Sequence, residues 1–288
     1  MAFASFRNLK TQWFPPAPTF TDRNVPEQKG KVFIVTGGNS GVGYALVNFL
    51  YSTGATIYMA SRSKEKAEKA IAEIEAATPV PKLPGNIKFL KLDLNDLLSV
   101  KAAAAEFSKQ ESKVDVLFNN AGIGARNVGP GARTAQGLDV MFGVHCVATL
   151  LFTINLLPQL RAASIGGNPA RVVWTSSFLA EGASPNNGID LKHLDSGYPD
   201  LDKNYAISKL LLSEPKFGAY TNLYAGFSTD ITLENNGAYV IPWGRLRDDK
   251  NCPRKDIIKA MTDEEKGGLG YPKTLWEYCE AKWAESGV

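Results

Sequence analysis

Cysteine is scarce in this 288-residue chain. Cys146, Cys252 and Cys279 are odd in number, widely spaced, and outside any paired ligand motif. That argues against a disulfide framework and against a metal site, and it points to a reducing, cytoplasmic setting. Blocks of like charge are also missing. Lysine and arginine total 32 against 29 acidic residues, a net charge of +3, and they are spread along the chain. No nucleic-acid partner is expected from such a surface. The N-terminus lacks the charged-then-apolar pattern of a signal peptide. One long apolar run exists, Val140 to Leu157, but His145, Thr149, Thr153 and Asn155 interrupt it and Pro158 closes it. It reads as a buried core helix, so no integral membrane span is expected. The composition, 44% hydrophobic and 21% charged, is that of a soluble globular protein. The length suits one large α/β domain or two small ones.

The stretch that organises the chain is Lys31 to Leu50. Val32 to Val35 is a continuous apolar run, as expected of a strand buried on both faces. Thr36-Gly37-Gly38-Asn39-Ser40-Gly41-Val42-Gly43 is a glycine-rich turn, and Tyr44 to Leu50 continues as a helix. Glycines there turn the chain, let backbone approach a diphosphate, and let the helix lie close to the strand. The helix N-terminus offers unspent N–H groups to phosphate. Spaced glycines alone are a weak signal. Between an apolar strand and an amphipathic helix they indicate a dinucleotide site.

Before this unit, residues 1 to 29 interleave Phe3, Phe6, Trp13, Phe14 and Phe20 with prolines. Proline argues against regular structure, so this extension is expected to lie across the surface with its aromatics buried. After the unit, strands and helices alternate. Ala55 to Ala60 is a strand, and Lys64 to Ala77 is a helix with Ala67, Ala70, Ile71 and Ile74 inward. Ile87 to Leu92 is the third strand and Asn95 to Lys109 the third helix. Val114 to Phe118 is the fourth strand, and Arg171 to Thr175 the fifth. This order predicts an α/β Rossmann-type doubly wound parallel sheet with helices on both faces. Ligands of such sheets bind outside the carboxyl ends of the strands. Polar residues stand at five of those ends: Thr36 to Gly43, Arg62, Asp93, Asn119 and Ser177.

Arg62 follows strand two, where the adenine ribose of a dinucleotide lies. An acidic residue there favours NAD, whereas Arg62, with Lys64 nearby, suits a 2′-phosphate and hence NADP(H). The plain alternative is a solvated surface arginine. Asp93, with Leu94 beside it, can accept a hydrogen bond from the adenine. Its alternative is a helix N-cap, a role that Asn95 or Asp96 can take instead. Tyr205 and Lys209 are four residues apart, on one face of a helix. A nearby ammonium favours the phenolate and lowers the tyrosine pKa from about 10. With the Ser177 hydroxyl they make a proton-transfer set for hydride chemistry beside a nicotinamide.

TGGNSGVG (36–43), NNAG (119–122), TSS (175–177) and YAISK (205–209) together resemble the motifs of the short-chain dehydrogenase/reductases. ASRSKEKA and TAQGLDVMFGV are similar to the retinol-dehydrogenase-like, fungal-type branch. The resemblance covers about Lys31 to Leu212, and more faintly Pro215 to Arg245. It implies reversible NADP-linked interconversion of a small-molecule alcohol and a carbonyl, and it admits a homo-oligomer. It implies Tyr205 as general acid/base, and Lys209 as ligand of the nicotinamide ribose and modulator of Tyr205. Ser177 would hold the substrate oxygen, and Asn119 or Asn120, with Ala121 and Gly122, the cofactor.

Two departures stand out. His145 occupies the place of a helix asparagine that completes a proton relay in the family. An imidazole has a donor and an acceptor, as an amide does, but a different shape; the bland reading is a core histidine. Second, the family's sixth strand and its Pro-Gly turn have no counterpart here. Helix Lys203 to Ser213 ends early, Pro215 to Gly226 reads as a late helix, and Gly237 to Gly244 as the final strand. A block of some tens of residues is absent, so the sheet is expected to lack one strand. The expected layout is an N-terminal extension (1–29), a dinucleotide-binding domain (30–245) and a segment covering the substrate side (246–288). In that segment, Trp276, Tyr278 and Trp283 either line a pocket or dock the amphipathic stretch Thr274 to Ala284. The functional alternative is a non-catalytic or truncated relative with a residual cofactor site. A methyltransferase also uses a glycine turn, but Ser177, Tyr205 and Lys209 have no role in one.

Overall fold

The computed structural model describes residues 14–77, 79–124, 127–165, 169–177, 184–198, 200–201, 204, 215–252 and 254–288. Five parallel strands form one sheet in the order β3-β2-β1-β4-β5. They are β1 (Val32–Thr36), β2 (Thr56–Ser61), β3 (Asn86–Lys91), β4 (Val116–Asn119) and β5 (Arg171–Trp174). β1 is central, paired with β2 through Val32↔Thr56 to Thr36↔Ala60 and with β4 through Phe33↔Val116 to Val35↔Phe118. All five β1 residues are buried, as the unbroken apolar run required.

Helices cover both faces. α1 (Gly41–Tyr51) and α2 (Lys64–Glu75) share one face with a later helix, α6 (Pro215–Phe227). There Leu46, Val47 and Leu50 meet Phe33, Val35 and Leu223, all fully buried. Each such side chain contributes about 1.5–3 kcal/mol of transfer free energy. Phe49 stacks on Tyr220 at 5.2 Å, which locks α1 to α6. Arg171 of β5 holds the end of α6, donating to the carbonyls of Ala225, Ser228 and Ile231 at 3.0–3.1 Å. The other face carries α3 (Leu97–Gln110) and the apolar run. α6 bears out the late helix expected at Pro215 to Gly226.

The apolar run is a core element, but not one continuous helix. α4 comprises Val140–Phe142, a π-helical turn Gly143–Ala148, and Thr149–Asn155. Thr149 Oγ1 donates to the Val144 carbonyl five residues back, at 2.8 Å. The chain then bends by 57° into α5 (Leu157–Ala163). Pro158 does not end the helical run; it sits in the first turn of α5, where its missing N–H is no loss. No single described helix is long and apolar enough to cross a membrane, although this bent pair is by length and composition.

The C-terminal part differs from expectation at one point. Gly237 to Gly244 does not extend the sheet. Only Val240–Ile241 (β6) is extended, and it pairs antiparallel with Arg245–Leu246 (β7) in a separate ribbon. α7 (Lys255–Met261) and α8 (Tyr271–Glu285) follow. The α8 aromatics dock the helix. Trp283 Nε1 donates to the Val147 carbonyl at 3.1 Å, and Tyr278 meets Phe142 edge-on at 5.5 Å. At the other end, Phe14 is 75% exposed, contrary to the expected burial, while Phe20 packs edge-on against Tyr224. Phe3, Phe6 and Trp13 lie outside the described residues.

Burial on α8 also sets the chemistry of Cys279, which is 3% exposed. Desolvation pushes its thiol up to about 11. We expect Cys279 to resist thiol reagents at pH 8 and to react once denaturant is added, as counted by mass spectrometry. Unfolding frees a thiol that ionises earlier, so its contribution to stability is lost as pH rises from about 9 towards about 11.

Candidate active site

Because the strands are parallel, Thr36, Ser61, Lys91, Asn119 and Trp174 end at one edge. A cleft of about 520 Å³ opens there. It brings together Gly37, Asn39, Ser40, Gly41 and Val42 of the turn, Arg62, Asp93 and Leu94, and Asn120, Ala121 and Gly122.

Hydrogen bonds tie the glycine turn to the end of β4. Thr36 Oγ1 accepts from the Asn120 and Ala121 N–H groups at 3.0 and 2.9 Å and donates to the Phe118 carbonyl. Asn120 Nδ2 donates to the Thr36 carbonyl at 3.0 Å. Thr36 is therefore a buried clip behind the cleft. Gly43 is the close-packing glycine. A Cβ on it would lie 2.3 Å from the Gly37 oxygen and 2.6 Å from Asn120 Nδ2. Gly37 itself has φ +67°, a left-handed conformation that glycine adopts without strain. Ser40 is the N-cap of α1 but its side chain caps no N–H, which leaves the first turn open to an anion. We expect Gly43→Ala to lose about 1–3 kcal/mol by overpacking. Thermal scans with and without NADPH should show a lower midpoint and a smaller cofactor-induced rise.

Arg62 is exposed in the cleft and, among the described residues, has no ion-pair partner. Lys64, the lysine expected beside it, instead pairs with Glu68 at 3.6 Å. Lys66 lines the cleft in its place, in the first turn of α2, where Ser63 Oγ accepts its N–H. Asp93 Oδ1 accepts the Asn95 N–H at 3.0 Å, and the α3 N-cap is Asp96, which accepts from Leu98. Asp93 is thus not the cap.

The two asparagines part company. Asn120 lines the cleft, whereas Asn119 is fully buried and donates to Thr153 Oγ1 at 2.9 Å. His145 lies in the π turn, 4% exposed, and its Nε2 accepts the Ile123 N–H at 2.8 Å. That nitrogen carries no proton in this arrangement. His145 therefore holds the loop after β4, next to Gly122. Of the serine pair, Ser176 lines the cleft and Ser177 does not. Ser177 is 2% exposed, and its carbonyl accepts the Tyr239 hydroxyl at 2.9 Å. Tyr205 and Lys209 lie outside the described residues. Ser63, Lys66, Asn95, Ile123, Val144, Thr175 and Ser176 also line the cleft. Lys66 was findable as a first-turn lysine four residues after Arg62. Thr175 and Ser176 belong to the TSS motif, whereas Ser63, Ile123 and Val144 carry no signal for the cleft, since only the packing places them there. No group of three or more metal-ligating side chains occurs among the described residues.

Comparison with known proteins gives consistent matches. The short chain dehydrogenase family model matches residues 31–189. A curated short-chain dehydrogenase/reductase of Pestalotiopsis fici is 39% identical over 331 aligned positions, covering 97% of this chain and 98% of its own. One from Phomopsis amygdali is 36% identical over 339 positions, covering 96% and 98%. Among solved structures, an uncharacterised protein of Mycobacterium paratuberculosis is similar, with 29% identity and a TM-score of 0.51, over 66% of this chain and 61% of that one. The 331 positions exceed the residues this chain contributes, 97% of 288, by about fifty. The Pestalotiopsis fici protein therefore has about fifty residues without a counterpart here, and the Phomopsis amygdali protein about sixty.

Proposed function

The chain belongs to the short-chain dehydrogenase/reductase family, and on that premise we propose that it is an NADP(H)-dependent oxidoreductase interconverting an alcohol and a carbonyl. The observation that carries the reading is the cation pair in the cleft. Arg62 and Lys66 face the end of β2, with no ion-pair partner among the described residues. A 2′-phosphate supplies the charge they lack. The glycine turn, the open first turn of α1 and Asn120 suit the diphosphate and the nicotinamide half. Gly43 leaves a contact that no larger residue fits, as a close-packed cradle requires.

When bound, the nicotinamide supplies or accepts the hydride. The chain's residues handle the proton. Tyr205 gives a proton to the carbonyl oxygen on reduction and takes it from the hydroxyl on oxidation. Lys209 would hold the nicotinamide ribose and, as a cation four residues along from Tyr205, would favour its phenolate and lower its pKa. The substrate oxygen falls to the serine pair: sequence order assigns it to Ser177, while Ser176 is the one that lines the cleft. His145 fixes the loop that carries Gly122, through Ile123. The substrate is a small or lipophilic alcohol, ketone or aldehyde. The described structure has all three thiols free, which suits a reducing cytoplasm.

The fifty-residue shortfall favours a second reading, a relative that keeps the cofactor cleft without turnover. Nicotinamide absorbance with a carbonyl and alcohol panel separates the two. Turnover with NADPH supports the first reading. Thermal stabilisation by NADPH without turnover supports the second.

A further inference from the structure

The helix that carries His145 is irregular where it meets the cleft. Gly143–Ala148 is a π turn, a rare geometry inside an α-helix and one often met at functional sites. Its extra residue rotates the side chains before it by about 100° relative to those after it. The part after it, Thr149–Asn155, is pinned. Phe152 is fully buried, and Thr153 Oγ1 accepts from Asn119 at the end of β4 at 2.9 Å. The turn therefore decides where His145 points. It aims Nε2 at the Ile123 N–H, 2.8 Å away, and puts Val144 in the cleft wall with Gly122 and Ile123.

Two side chains donate to carbonyls of the turn. Thr149 Oγ1 donates to Val144 at 2.8 Å from within the same helix. Trp283 Nε1 donates to Val147 at 3.1 Å from α8, near the other end of the chain. Trp283 is buried in one apolar cluster with Val144, Val147 and Ala148, and α8 packs on the π turn itself. A buried indole N–H needs an acceptor, and a helix carbonyl shifted out of register needs a donor. Each meets the need of the other. α8 lies outside residues 31–189, the span that the family model matches.

We propose that Trp283 is a positioning residue for the cofactor cleft. By holding the Val147 carbonyl it keeps the π turn open, and the π turn keeps His145 on the Ile123 N–H. The C-terminal helix thus sets the cleft wall formed by Gly122, Ile123 and Val144. If Trp283 only docked α8, any loss of docking would act alike. Its bearing on cofactor binding rests on the oxidoreductase reading; its hold on Ile123 does not.

The test compares two variants of α8. Trp283→Phe keeps an aromatic ring and deletes the indole N–H. Tyr278→Phe keeps its ring against Phe142 and deletes the hydroxyl that donates to Asp195, a docking contact away from the π turn. Amide hydrogen exchange at Ile123 should accelerate about tenfold in Trp283→Phe and stay within about twofold in Tyr278→Phe, with the central-strand Ile34 reporting global unfolding. The chain has two histidines, His145 and His193, so one His193→Gln spectrum assigns the ring nitrogens. In the unchanged chain the His145 Nε2 resonance should be that of an unprotonated acceptor. In Trp283→Phe it should move towards the protonated position. Dissociation constants for NADPH and NADH should rise together by about three- to tenfold, unlike the NADPH-selective loss expected of Arg62→Ala.

An unchanged Ile123 rate in folded Trp283→Phe overturns the proposal. So does an equal acceleration in Tyr278→Phe, or a loosened Ile123 with unchanged affinity for a cofactor that the chain binds. If Trp283→Phe does not fold, 3-benzothienylalanine at position 283 keeps the bicyclic shape without the N–H, and the same readouts decide. If the unchanged chain binds neither cofactor, the oxidoreductase reading fails, while Ile123 exchange and the His145 resonance still decide whether Trp283 holds the turn.

Discussion

Replacing Arg62 by alanine is expected to weaken NADPH binding by about 10–100-fold and to leave NADH binding within a few-fold. The magnitude follows from hydrogen bonds to charged groups, about 1.5–3 kcal/mol each, at about 1.4 kcal/mol per factor of ten. Arg62→Glu goes further. It places a carboxylate where the 2′-phosphate would sit and offers the NADH ribose an acceptor, so the preference should reverse. Lys66→Ala should give a smaller loss, and Lys64→Ala almost none, because Lys64 pairs with Glu68 outside the cleft. Dissociation constants for both cofactors, measured by fluorescence at one salt concentration, check this ranking. Equal losses for NADPH and NADH in Arg62→Ala would remove the argument for a phosphate site.

The second large effect is kinetic. Tyr205→Phe deletes only the phenolic oxygen, so NADPH affinity should stay within about twofold. Turnover should fall by about 10²–10⁴, the usual worth of a positioned acid/base. Unchanged turnover would remove Tyr205 from the mechanism. The pair Ser176→Ala and Ser177→Ala is the natural companion measurement. Sequence order favours Ser177, while the cleft is lined by Ser176.

The strands were readable because a strand buried on both faces must be apolar throughout. Val32 to Val35 says so directly, and the positions of β2 to β5 followed within one or two residues. The glycine turn was readable for a similar local reason. Its backbone conformations and close contacts restrict the residue types that fit, as Gly37 and Gly43 show. Arg62 and Asp93 could be placed at the cleft because a residue just after a parallel strand has little choice of edge.

Direction and partnership were not readable. In the pairs Asn119–Asn120 and Ser176–Ser177, adjacent residues point to opposite sides, and no local rule says which side meets the cleft. The apolar run looked like one helix because composition is blind to a π turn, within which Thr149 Oγ1 bonds to the Val144 carbonyl and His145 Nε2 accepts the Ile123 N–H. Lys64 and Lys66 are equivalent in sequence, and α2 packing decides which lines the cleft. The chain alone thus determined the fold class, the sheet edge that carries the cleft and the glycine cradle, because burial and backbone conformation are written residue by residue. Only the tertiary structure decided that Asn120 and Lys66 line that cleft, because those facts depend on what each element finds across from it.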